Sequence, residues 1–122
     1  MGAPRRLVID GACFRWTRSH GHHDGACADT FSAWLDGVRG GGLRVVFRDG
    51  EGGSTTTGQG WGGHDGGLLV GGLAYNLHRP ALAACLIRAA LADGWRPGER
   101  AVEYRDGFAL LARAGAPHEP RR

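Results

Sequence analysis

The chain has 122 residues, with 15 arginines, no lysine, 12 acids and a formal net charge of +3. That size suits a single domain with one real core, and no apolar run is long enough to span a bilayer. The excess charge sits at the ends: between Leu7 and Gly115 eleven arginines are interleaved with eleven acids, which argues against a nucleic-acid binder, where cations gather on one face.

A secretory leader needs a longer apolar region than the start of the chain offers. Asp10 and Gly11 break it, so the cytoplasm is the expected location. Cys13, Cys27 and Cys85 leave one thiol over in any disulfide scheme, and no CxxC is present. Reduced, mostly buried thiols are the expectation.

The first element is a hairpin. In "RLVIDGACFRWT" two apolar runs flank Asp10-Gly11, a pair suited to the positive φ angles of a type I′ turn. Ala12, Phe14 and Trp16 share one face of the second strand, and Cys13, Arg15 and Thr17 the other. "ADTFSAWLDGV" fits a helix capped by Asp29, but Phe31, Ala33 and Leu35 also alternate as on a strand. The strand is the reading adopted, followed by a glycine turn and another strand at Leu43 to Arg48.

Residues 50–67 hold nine glycines in eighteen positions and little apolar surface, so a long mobile loop is expected. It lacks the Gly-Lys-Ser/Thr ending of a phosphate-binding loop. A short strand at Leu68 to Val70 precedes the best-defined element, a helix over about 77–93. Asn76 can cap it and Pro80 suits its first turn. Leu82, Cys85, Leu86 and Ala89 form its buried stripe, and Gly94 ends it. Trp95 should fold back on the last helical turn. "RAVEYRDGFALLAR" reads as one or two final strands around Asp106-Gly107, and residues 1–5 and 116–122 as disordered tails.

The helix and its exit, "PALAACLIRAALADGWRP", together with the early strand "FRWTR", resemble small uncharacterised proteins of high-GC bacteria. The resemblance covers about half the chain and rests on an apolar helix ending in Gly-Trp-x-Pro. It implies a fold and no catalytic residues.

The expected architecture is therefore α+β: an antiparallel sheet of four to six strands, covered by one buried helix in the C-terminal half, with a long glycine-rich loop.

Chemistry is concentrated in "SHGHHDG". On an extended segment His20 and His22 point to one side, and His23, Asp24 and Cys27 are near enough to add ligands if the chain turns. Zinc takes such donors readily. A polar, solvated hairpin loop is the plainer reading, with no cofactor. A cysteine such as Cys27 acting with His64-Asp65 is a weaker idea, because a triad is recognised by geometry. Trp61 lies in the glycine-rich stretch beside His64, and an aromatic there suits a partner contact.

The expectation is a small non-enzymatic protein-interaction or accessory module, with Trp61 and His64 as the contact. Its partner would be another protein, not nucleic acid or membrane, and a homo-oligomer is compatible with it. The alternative is a metal-binding protein or metal-assisted hydrolase using His20, His22, His23, Asp24 and Cys27.

Overall fold

The structure, a computed structural model, describes residues 4–23, 26–50, 52–55, 67–99 and 101–119. The elements are β1 (Arg5–Ile9), β2 (Ala12–His23), β3 (Ala26–Leu35), β4 (Leu43–Arg48), β5 (Ser54–Thr55), β6 (Gly67–Val70), β7 (Leu73–Asn76), α1 (Pro80–Ala92), β8 (Glu103–Asp106) and α2 (Gly107–Ala114). A five-stranded sheet has the order β1-β2-β3-β4-β8, and a smaller one the order β5-β6-β7.

The expected first hairpin is present. Asp10 at φ 49 and Gly11 at φ 81 make the turn, and Ile9 pairs with Ala12. The ambiguous segment is a strand, since Phe31 and Ala33 must reach the core while Ser32 and Thr30 do not. β2 and β3 pair antiparallel from Phe14↔Leu35 to His23↔Ala26. The histidines of "SHGHHDG" thus stand on a long strand, not in a solvated loop.

Period-two alternation divides the large sheet into two faces. The inner face carries Ile9, Phe14, Trp16, Phe31, Ala33, Leu43, Val45 and Phe47, all buried. Leu82, Ala83, Leu86, Ile87 and Ala90 of α1, with Phe108, Leu110 and Leu111 of α2, complete the core against it. Leu68 and Leu77 join the same core from the small sheet and the turn after it.

Two expectations are corrected. The sheet is mixed: β8 pairs parallel with β4, from Leu43↔Glu103 to Val46↔Asp106. Parallel neighbours need a crossover connection, and β5 to α1 supply it. Asp106-Gly107 is no hairpin turn but the start of a second helix. Asp106 Oδ1 accepts from Phe108 N at 3.2 Å, capping α2. Gly107 is required, because a Cβ there would meet the Phe47 ring at 2.5 Å.

α1 matches its expected position but not its cap. Arg79 is the N-cap residue without a side-chain bond, and Pro80 opens the helix. Asn76 Oδ1 instead accepts from His78 N at 2.8 Å. Gly94, at φ +104, turns the chain back. Trp95 follows, 2% exposed, with its ring 5.8 Å from that of Phe14 and its indole N–H donating to Gly41 O at 2.7 Å.

Residues 116–119, part of the stretch read as a disordered tail, are tied down. Glu119 N donates to Ala74 O at 2.6 Å, and Arg79 donates twice to the Glu119 carboxylate. Most of the glycine-rich stretch, residues 51 and 56–66, lies outside the described residues. No described helix is long and apolar enough to cross a membrane.

Candidate functional site

The inner face of the sheet changes character along β2 and β3. At one end Phe14 pairs with Leu35 and Trp16 with Ala33; then come Arg18↔Phe31 and His20↔Asp29, and the backbone register runs on to His22↔Cys27. The polar end is still covered. The side chains of Arg18, His20 and Asp29 are 12%, 8% and 3% exposed.

Their geometry is that of a paired network. His20 Nδ1 lies 2.6 Å from Asp29 Oδ1, and Arg18 Nη1 lies 3.7 Å from the same oxygen. Arg18 Nη2 donates to His78 Nε2 at 3.3 Å. His78 follows β7, and its carbonyl accepts from Arg5 Nη1 at 2.8 Å. The Arg5 guanidinium also sits 5.4 Å from the Trp16 ring centroid, a cation–π distance. The cluster therefore ties β1, β2, β3 and the start of α1 together.

Buried charges are tolerated only when paired and hydrogen-bonded. Asp29 is the centre of this arrangement, answering Arg18 and orienting His20. A histidine held at Nδ1 by a carboxylate presents Nε2 in a fixed direction, the arrangement of metal-ligating and general-base histidines.

The residues singled out in the sequence fare differently. His20 is in the network. His22 and His23 lie on β2, as register partners of Cys27 and Ala26. Cys27 is half-buried on β3, two positions before Asp29. Asp24, Trp61 and His64 lie outside the described residues. Among the described residues, no three His, Cys, Asp or Glu side chains form a group able to hold a metal ion. Arg18 and His78 escaped notice in the sequence, and Asp29 was read only as a possible helix cap. A register linking Ser19-His20 to Asp29-Thr30 would have exposed Arg18 and Asp29, but it becomes visible only once "ADTFSAWL" is known to be a strand.

The second candidate surface is the other face of the sheet. Both helices and β5 pack on the inner face, and among the described residues no element covers the outer one. In register order, the outer face carries Val8 beside Cys13, then Arg6, Arg15 and Trp34, then Thr17, Ser32, Arg44 and Tyr104. Ser19, Thr30, Val46 and Asp106 follow, and beyond them Arg48 beside the buried Ala28. Tyr104 is 65% exposed and Val8 63%.

Strand alternation has thus gathered four arginines, Arg6, Arg15, Arg44 and Arg48, on this face, with Asp106 among them. Arg15 Nε lies 3.2 Å from Asp36 Oδ1, and Arg6 Nη2 donates to Cys13 Sγ at 3.6 Å. The hydrogen bond to Cys13, and then the nearby charges of Cys13 and Asp36, push the Arg6 guanidinium up from its ordinary value.

No family model, no curated protein and no solved structure matches the chain.

Proposed function

We propose that the protein is a small non-enzymatic binding module, a protein-interaction or accessory subunit, that meets its partner through the outer face of the five-stranded sheet. One observation carries this reading. The two helices and β5 cover the inner face, while the outer face leaves Tyr104 and Val8 largely exposed among arginines. Tyr, Trp and Arg are the residues enriched at interface cores and hot spots. Trp61 and His64 remain candidates for the same contact.

The test is a photo-crosslinking amino acid placed at residue 104, at 61, or at 88 on the exposed side of α1. In cells, a partner adduct at 104 and none at 88 is the expected result. An adduct at 61 alone moves the contact to the glycine-rich stretch, and an adduct at 88 alone contradicts the proposal.

A second reading has its own support, the Asp29–His20 bond together with the His22↔Cys27 register. On that reading Asp29 fixes the His20 tautomer, and His20, His22 and Cys27 supply ligands for zinc, with His23 and Asp24 next along the hairpin. Zinc at a hundred times its dissociation constant would then add about 2.7 kcal/mol to stability. A rise in melting temperature that Cys27→Ala abolishes supports this reading; an unchanged melting temperature removes it.

A further inference from the structure

The arginines of the outer face are not equivalent. On the β1–β2 side, Arg15 is answered by Asp36, and Arg6 is bonded to Cys13 beside that same carboxylate. On β4, Arg44 and Arg48 are both exposed, and neither makes an ion pair among the described residues. They stand four residues apart on one strand face, which is roughly 13 Å at the strand rise. Val46 lies between them, half-buried, and Tyr104 is the register neighbour of Arg44. Asp106, exposed and the register neighbour of Val46, shares this half of the face, and its Oδ1 accepts from Phe108 N at the start of α2.

Resting on the reading of this face as the contact surface, we propose that its β4–β8 half receives an extended acidic polypeptide segment. Two carboxylates four residues apart meet Arg44 and Arg48, and an apolar or aromatic side chain between them lies over Val46 beside Tyr104.

The charge, spacing and surface all fit this partner. Guanidinium groups take carboxylates in bidentate pairs. An extended segment running along β4 repeats the strand's own rise, so residues i and i+4 fall on the two arginines. The central contact excludes water from both pairs, where charge attraction is strengthened. The segment lies on the face and does not extend the sheet, because Arg44 and Arg48 both stand on β4, which β8 separates from that edge. A single-stranded nucleic acid fits less well, because it needs successive aromatic platforms.

The experiment is fluorescence anisotropy with the full chain. The probe is a labelled peptide with the core Glu-Thr-Val-Thr-Glu. Controls are the same peptide with lysines for glutamates, one with the glutamates three residues apart, and a labelled oligothymidylate. The glutamate peptide is expected to bind, more weakly as salt rises. Arg44→Glu and Arg48→Glu should each weaken it by roughly tenfold or more, with melting temperatures unchanged. Arg88→Glu, on α1, should not affect it. No binding, or binding indifferent to Arg44→Glu, overturns the proposal. Oligothymidylate binding tighter than the peptide assigns the face to nucleic acid, and a dimer dissolved by Arg44→Glu assigns it to a second copy; either overturns it. If the peptide fails while the adduct at residue 104 persists, the partner chemistry is wrong and the surface stands. If both fail, the surface reading falls as well.

Discussion

Asp29 shows how much can depend on one carboxylate. It is 3% exposed in its side chain and holds both Arg18 and His20. Removing one member of a buried ion pair costs about 3–5 kcal/mol, because the other charge is left buried. Asp29→Ala should therefore lower stability by that order in chemical denaturation, and a near-neutral result would show that Arg18 and His20 find other partners. Trp95 is a second such residue. Its indole packs on Phe14 and donates to Gly41 O, so Trp95→Ala should cost about 3–5 kcal/mol. Tyr104→Ala, at an exposed strand position, should stay within about 0.5 kcal/mol. The same denaturation series compares the two directly. Trp95 was readable in the sequence as a core residue, since a glycine just past an apolar helix turns the following side chain back. Asp29 was not, since an acid before an apolar run reads equally well as a helix cap.

At the scale of elements, the helix legible in the sequence and the one that was not differ in their signals. α1 has thirteen residues with a continuous buried stripe, and Pro80 marks its start. α2 has eight residues and begins at Asp-Gly, which the first hairpin also uses at Asp10-Gly11. The same dipeptide makes a turn where both residues take positive φ, and a helix start where Asp106 accepts from Phe108 N. Only packing separates them: Phe108, Leu110 and Leu111 must reach the core, and Gly107 must pass the Phe47 ring. Gly107→Ala should therefore destabilise by about 1–3 kcal/mol through overpacking, measured by thermal or urea unfolding. A neutral outcome would mean that Phe47 has room to move. β8 was legible as a strand but not in its direction, since direction depends on the crossover. Its place is fixed partly by Arg105, which bonds Glu103 on its own strand and Asp93 at the end of α1, while Arg113 of α2 also reaches Asp93.

For the whole molecule, the informative feature is a sheet that the described residues cover on one side. The interleaved charges of the linear sequence suggested no footprint, yet alternation along strands brought Arg6, Arg15, Arg44 and Arg48 onto the open side with Tyr104 and Val8. Strand parity and register together produce that surface, and register is what a single sequence leaves undetermined. The measurement that tests the account most directly is hydroxyl-radical footprinting of the purified protein against the protein in cells. Val8, Trp34 and Tyr104 should react readily in the purified protein and become protected in cells, while exposed positions on α1 such as Arg88 and Ala92 keep one rate in both. Equal reactivity of the outer face in the two states, or protection confined to α1, would contradict the claim that this face is where the protein meets its partner.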